Sequence, residues 1–274
     1  MNTLFDRDSY DTPHDRRDIC SKIFFNSRIN FFLQVCTNFY FIGRCAKAGR
    51  LDSKNLAQFS GKNIDILERC GARISVRGLD YLSAEEGPFV IAGNHMSAVE
   101  TIMLNALISP RLDFTFVIKN GIFGVPFMSR AMHAIGAIGV TQVNPREDFK
   151  TIMQKGRKQL EQGRSVLIFP EASRYPEFKP ERFNTIAVKL AKNAGVKVIP
   201  FALKTDFLKP GRLFNDFGPL HPENRIYFEF APPVAVTGNG REAQEQIIDF
   251  IGERCRAWRD KDKFPLAPGL LAAE

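Results

Sequence analysis

His95 and Glu100 are the two side chains whose types and spacing suit acid–base chemistry. His95 comes soon after the apolar run Phe89–Ala92, and Glu100 follows one helical turn later. An imidazole takes a proton from a hydroxyl group most readily when a carboxylate fixes its tautomer and stabilises the imidazolium. The same residues also fit a capping box, with Ser97 as the N-cap and Glu100 hydrogen-bonded back to the Ser97 amide. Both interpretations remain open at this stage.

A second polar cluster, Glu171–Arg174, follows the apolar run Ser165–Phe169. Asn94 and His95 follow a similar run that ends at Ala92. In open α/β sheets the carboxyl ends of parallel strands meet at one edge, and ligands bind there. We therefore expect the two clusters to lie together and to form an active site.

The elements that would position these clusters begin near Ile74, where short apolar runs alternate with helical periodicity. This alternation is typical of strand–helix–strand units. The predicted fold is α/β: a mostly parallel sheet flanked by helices and preceded by an N-terminal aromatic and basic helical segment. The predicted strands are 89–92, 114–118, 137–140, 165–169, 196–202 and 226–230, and the last predicted helix is 241–260.

The chain divides into three predicted regions. Residues 1–18 are charged and poor in apolar groups, which predicts a disordered tail. Residues 19–70 are rich in Phe and basic residues and are predicted to form two or three helices that associate with a membrane. Residues 71–274 form the predicted α/β domain with its C-terminal helix.

The membrane prediction depends on Ile29–Gly43, which carries no charge between Arg28 and Arg44. This stretch is too short and too polar to cross a bilayer comfortably. Aromatic residues bordered by cations favour a helix lying among lipid headgroups. A buried core helix with a solvated basic rim is the alternative. We expect peripheral association with the cytoplasmic face of a membrane.

The composition of the chain narrows the classes of molecule that it is expected to bind. The chain of 274 residues contains 25 Phe and has a net charge of +8, which favours acidic partners such as nucleic acid, anionic lipid or a phosphate-bearing substrate. No nucleic-acid-binding motif is present, so an anionic membrane surface is expected and nucleic acid is not. The five cysteines show no metal-ligand or redox spacing, so no metal site is expected.

Four blocks of sequence resemble the glycerolipid (lysophosphatidate-type) acyltransferase family. The first resembles the family's His-x4-Asp motif, here His-x4-Glu, and the third resembles its Phe-Pro-Glu-Gly-Thr-Arg block. Order and spacing match from about Ile74 to Pro233. The blocks are Asn94–Glu100, Lys119 with Phe123–Phe127, Phe169–Arg174 and the proline-containing Val198–Phe201.

The resemblance implies an O-acyltransferase. His95 would be the general base that deprotonates the hydroxyl of a lysophospholipid-like acceptor, and Glu100 would orient His95. The hydroxyl would attack the thioester of acyl-CoA or acyl-carrier protein, with no acyl-enzyme, metal or cofactor. The implied acceptor-binding residues are Asn94, Lys119, Arg146, Glu171, Ala172, Ser173 and Arg174.

Three positions depart from the family's pattern. Glu100 replaces an aspartate, Ala172 replaces a glycine, and Gln142 stands where the second block usually closes with an arginine. Arg146 is the nearby candidate to replace that arginine. These departures leave open a non-catalytic lipid-binding or scaffold protein on the same fold, and a thioesterase is a second alternative.

Overall fold

The computed structural model describes residues 7–13, 28–126, 128–211, 216 and 218–263. The parts of the predicted tail and helical segment that fall at 1–6 and 14–27 lie outside these residues.

An eight-stranded, mostly parallel sheet forms the centre of the described chain. Its strand order is β1-β2-β8-β7-β3-β6-β4-β5. The pairs β1/β2 and β7/β8 are antiparallel and the other neighbours are parallel. The predicted fold class is thus confirmed. The strands are β1 Tyr10–Asp11, β2 Ile74–Arg77, β3 Val90–Gly93, β4 Phe114–Lys119, β5 Ile138–Val140, β6 Ser165–Ile168, β7 Val198–Lys204 and β8 Ile226–Phe230.

Helices connect and flank these strands. A π-helical turn occupies Ile152–Gly156, and 3₁₀ turns occupy Leu79–Leu82, Asn120–Gly124 and Pro180–Arg182. The α-helices are α1 Arg28–Lys47, α2 Ser53–Arg69, α3 Val99–Ile108, α4 Met128–Ala134, α5 Pro145–Thr151, α6 Arg157–Glu161, α7 Ile186–Ala194 and α8 Arg241–Lys263.

The helices form two layers, one on each face of the sheet. Helices α1 to α3 share one core with Ile91 of β3. The π-helical turn Ile152–Gly156 and helices α6 to α8 share a second core with the neighbouring Val90 and Ala92. Successive side chains of a strand point to opposite faces, so β3 contributes to both cores. Burial of each large apolar side chain stabilises the fold by about 1.5–3 kcal/mol.

The N-terminal region is ordered where it is described. Tyr10–Asp11 pairs with β2, and the hydroxyl groups of Tyr10 and Thr12 donate hydrogen bonds to buried Glu68. This order differs from the disordered tail predicted over 1–18. The sequence pattern missed it because a two-residue edge strand has no detectable periodicity.

Helix α1 has one buried and one exposed apolar side. Phe31, Val35 and Ile42 are buried in the core, while Ile29 and Leu33 are 66% and 63% exposed. Helix α1 is therefore partly a core helix that also presents apolar groups outward, and its association with a membrane stays a prediction. None of the described helices is long and apolar enough to cross a membrane.

Candidate active site

The two predicted polar clusters meet at the carboxyl ends of β3 and β6. These strands are parallel neighbours, with Ala92 paired to Ile168. The backbone N–H of His95 donates to Glu171 Oε2 over 2.8 Å. The His95 ring stacks on Phe169, with ring centroids 4.1 Å apart and planes inclined by 15°. Sequence positions far apart thus form one site.

Glu100 binds the imidazole and the helix start together. Its Oε1 lies 2.9 Å from His95 Nδ1 and accepts from the N–H groups of Met96 and Ser97 at 2.6 and 2.7 Å. Its Oε2 accepts from the hydroxyls of Ser97 and Thr205 at 3.0 and 2.7 Å. The carboxylate therefore makes the contacts that both interpretations require, with the imidazole and with the backbone amides at the helix start.

The capping geometry differs slightly from the predicted capping box. Helix α3 begins at Val99, which makes Ala98 the N-cap residue. The Ser97 hydroxyl still accepts from the Val99 N–H at 3.1 Å. Ser97 thus caps the helix from the residue before the N-cap position.

Electrostatics favour an ionised Glu100. Its side chain is fully buried, and burial alone would raise the carboxyl pKa. The hydrogen bond and positive charge of His95, with the hydrogen bond from Thr205, outweigh burial and lower the pKa below its ordinary 4.5. A carboxylate only accepts hydrogen bonds, so His95 Nδ1 carries the proton. In the neutral form of the imidazole, Nε2 then carries the lone pair that can accept a proton.

A cavity of about 1580 Å³ opens beside His95. Ala172, Ser173 and Arg174 line it on one side, and Lys119 lines it further along. Arg174 pairs with Asp216. A mostly apolar cleft with a few convergent polar groups is typical of ligand sites. The apolar lining residues include Phe116, Ile118, Ile122, Val140, Phe149, Ile152, Ile168, Phe169, Ile186 and Leu208, and the remaining cations are Lys189 and Lys209.

Two other predicted acceptor-binding residues lie away from this lining. The Asn94 side chain is buried and exchanges two hydrogen bonds of 2.9 Å with the Leu203 backbone, so it ties β3 to β7. Arg146 is exposed in the first turn of α5, and its backbone N–H donates to Asn144. Neither residue is among those that line the cavity.

Glu171 also lies behind the cavity wall rather than on it. It is buried, and its Oε1 has no hydrogen-bond partner among the described residues. Burial raises its pKa to about 7, and the nearby charge of Glu100 acts in the same direction. Within the described chain the Glu171 side chain accepts one hydrogen bond, from the His95 N–H, while the Tyr175 N–H donates to the His95 carbonyl at 2.9 Å. The loop 171–175 thus holds both polar groups of the His95 backbone.

Two neighbouring loops at the cavity share an unusual backbone. Gln142 and Ala172 have positive φ angles of 60° and 58°, and the Gln142 side-chain amide donates to the Ala172 carbonyl. The Asp148 carboxylate holds the first loop by accepting from the N–H groups of Thr141 and Gln142, each at 2.7 Å. A glycine adopts positive φ without strain, so alanine at position 172 holds a backbone conformation that a glycine would adopt more easily.

Sequence reasoning missed Thr205 and Asp148. Thr205 follows β7 at the same sheet edge as His95, and that position was its only available signal. Asp148 lies in the first turn of α5 and resembles an ordinary helix-start carboxylate. Among the residues placed by the structure, no group of three or more His, Cys, Asp or Glu could hold a metal ion.

Comparison with known proteins gives the class. Residues 73–204, which contain His95, Glu100 and Glu171, match the family model described as Acyltransferase. A 1-acyl-sn-glycerol-3-phosphate acyltransferase of Pseudomonas aeruginosa is 29% identical over 198 residues, 72% of each chain. A chloroplastic 1-acyl-sn-glycerol-3-phosphate acyltransferase of Arabidopsis thaliana is 30% identical over 131 residues, 48% of this chain and 36% of that protein.

The fold agrees with these matches. The crystal structure of the 1-acyl-sn-glycerophosphate (LPA) acyltransferase PlsC from Thermotoga maritima superposes with a TM-score of 0.61 at 14% identity, over 83% of this chain and 95% of that one. Together the family model and these relatives support a glycerolipid acyltransferase family for this chain. The chain is an acyltransferase similar to the 1-acylglycerol-3-phosphate acyltransferases.

Proposed function

We propose that the protein transfers a fatty acyl group from an acyl thioester to the hydroxyl of a lysophospholipid-like acceptor, with His95 as general base. The observation that carries this proposal is the 2.9 Å contact between His95 Nδ1 and the buried Glu100 carboxylate, at the wall of the cavity. The names of the relatives support a lysophospholipid-like acceptor. The base and the donor are our inference.

In the proposed reaction, His95 Nε2 takes the proton of the acceptor hydroxyl as its oxygen attacks the thioester carbonyl. The tetrahedral intermediate then collapses, the carbon–sulfur bond breaks, and the imidazolium returns the proton to the thiolate. One ester and one thiol are produced, and no metal or cofactor is required. General-base assistance contributes about 10²–10⁴-fold to such a rate.

The cavity suits both parts of a lysolipid. Phe116, Ile118 and Ile122 offer apolar surface to an acyl chain, while Lys119 and Arg174 offer positive charge to an anionic headgroup. Hydrogen bonds from charged donors to phosphate are short and strong. Either acyl-CoA or acyl-carrier protein satisfies the donor chemistry of the site.

We also propose that α1 rests among the headgroups at the cytoplasmic face of an anionic membrane. Ile29, Leu33, Tyr40 and Phe41 are its exposed large apolar residues, and Arg44 with Lys47 end the helix. Basic residues beside an exposed apolar stripe are attracted to anionic lipid.

The position of α1 also connects the membrane to the cavity. Helix α1 packs on α4, which follows the turn that contributes Ile122 to the cavity. Val125 beside that turn is exposed. A lipid acceptor would therefore have a short path from the surface under α1 to His95.

Vesicle binding tests the membrane proposal. The double variant Leu33→Asp/Phe41→Asp places charge on two exposed positions and should leave thermal unfolding nearly unchanged. We expect its cosedimentation with phosphatidylglycerol-containing vesicles to fall at least tenfold, because an acidic side chain in an apolar layer is costly. Unchanged cosedimentation would refute the placement of α1.

An acceptor screen tests the function. The purified protein is incubated with radiolabelled palmitoyl-CoA or palmitoyl-acyl carrier protein and a panel of lysolipids that differ in headgroup. We expect labelled diacyl product from at least one acceptor. Free labelled fatty acid without an acylated acceptor would indicate a thioesterase, and no turnover with any pair would favour a non-catalytic lipid-binding protein.

A further inference from the structure

The faces of α5, α6 and α7 that point outward form a strongly basic surface. Residues 141–158 and 186–193 contain seven basic and two acidic residues. We define the basic surface by five exposed members of this set, which are Arg146, Lys150, Lys155, Lys189 and Lys192. We infer that this surface docks an acidic carrier protein that delivers the acyl thioester to the cavity. The inference rests on the proposed function and names its donor.

The basic surface borders the mouth of the cavity. Lys189 and Phe149 line the cavity, and the Lys189 ammonium group lies 5.7 Å from the centre of the Phe149 ring. Val143 also lines the cavity and is 87% exposed. A carrier protein bound here would thus meet cations around two exposed apolar groups, with its thioester arm beside the entrance.

The helices form one continuous surface rather than two. A Cβ atom on Gly156 would approach the Leu190 side chain to 2.8 Å, so glycine at this position allows α7 to pack closely against the turn between α5 and α6. From Arg146 to Lys155 the helical rise spans about 14 Å. The phosphates of a single CoA molecule cannot occupy such a length of cations together, whereas a helix of a carrier protein can.

Internal ion pairs leave most of this charge uncompensated. The Asp148 carboxylate is engaged by backbone N–H groups, and Arg157 pairs with Glu161 at 2.7 Å. No salt bridge in the described chain involves Lys150 or Lys192. Clustered charge of one sign raises the association rate of an oppositely charged partner by about 10–10³-fold.

The position of the basic surface favours a soluble partner over the membrane. Helices α6 and α7, with the π-helical turn that follows α5, pack on one face of the sheet, and α1 with its exposed apolar residues packs on the other. When α1 rests on a membrane, the basic surface faces away from the lipid. A partner arriving from the aqueous side can then reach the cavity while the acceptor enters from the membrane side.

Charge reversal on the surface tests the inference. We compare Lys150→Glu/Lys192→Glu with the control Lys62→Glu/Lys261→Glu, which changes the net charge equally at exposed positions outside the basic surface. With palmitoyl-acyl carrier protein, kcat/KM should fall about tenfold or more for the first variant and less than threefold for the control. With palmitoyl-CoA both variants should stay within threefold of the unaltered protein.

A binding titration separates this inference from the proposed function. Fluorescently labelled palmitoyl-acyl carrier protein should bind the unaltered protein and the control, and should bind the Lys150→Glu/Lys192→Glu variant at least tenfold more weakly. Equal losses with both donors, weaker vesicle binding by this variant, or carrier-protein binding that is absent or unaffected would each overturn the docking surface. Absence of acyl transfer with intact, charge-dependent carrier binding would instead overturn the proposed function alone.

Discussion

Replacement of Glu100 by glutamine separates the charge of this side chain from its shape. The glutamine carbonyl can keep the hydrogen bonds from His95, Met96 and Ser97. The hydroxyls of Ser97 and Thr205 donate to Glu100 Oε2, and in the variant they can instead accept from the glutamine NH₂ group. The imidazolium formed during proton transfer loses its negative partner. Two unit charges about 4 Å apart interact by about 4 kcal/mol at an effective dielectric constant near 20, which corresponds to about 10³-fold in kcat.

Steady-state kinetics with the best lysolipid acceptor measures this loss, and two matched variants interpret it. Glu100→Asp keeps the charge but shortens the side chain, so kcat should fall less than in Glu100→Gln. Ser97→Ala removes a capping hydroxyl and should cost about 1 kcal/mol of stability with kcat within about tenfold of normal. If Glu100→Gln retained more than a tenth of normal kcat, the carboxylate would only cap the helix, and the proposed base–carboxylate pair would be refuted.

Three further predictions concern the residues around this pair. Because the pKa of Glu171 is raised from 4.5 to about 7, ionisation of this carboxyl favours the unfolded state. The stability that the protonated carboxyl contributes to the fold is therefore lost as pH rises through about 7. Thermal unfolding of Glu171→Gln should lack this loss between pH 5 and pH 8. Glu171→Ala should lower kcat about tenfold or more with little change in acceptor KM, since it frees the His95 N–H rather than a substrate contact; a selective rise in KM would show that Glu171 binds the acceptor. Ala172→Gly should raise the free energy of unfolding by about 0.5–1 kcal/mol in denaturant titrations. The reason is that relief of positive-φ strain, about 1–2 kcal/mol, exceeds the entropy that a glycine adds to the unfolded chain. A loss of stability would contradict this.

The sequence predicted the elements that carry strong periodic signals. Buried runs such as Val90–Gly93 and Ser165–Ile168 are strands in the structure. Their parallel pairing brings His95 and Glu171 together, as the rule for carboxyl ends of strands requires. The contact between His95 and Glu100 was also predictable, because a short spacing across a helix start limits how far apart the two side chains can be.

Other features depend on contacts between segments that no local pattern encodes. Thr205 reaches Glu100 only because β7 lies beside β3. Glu171 was expected to bind the acceptor, yet its placement behind the His95 backbone follows from the turn after β6. The positive φ at Ala172 could not be predicted, because alanine normally adopts a negative φ.

The most direct test of the central claim follows radiolabel from a palmitoyl thioester in acid-quenched single turnovers, with the unaltered protein and with His95→Ala. We expect label to pass to the lysolipid without appearing on the protein, and His95→Ala to lower this rate by at least 10² while lysolipid binding persists. Label bound covalently to the protein as an intermediate, or transfer by His95→Ala at a rate near normal, would show that His95 is not the base that activates the acceptor hydroxyl.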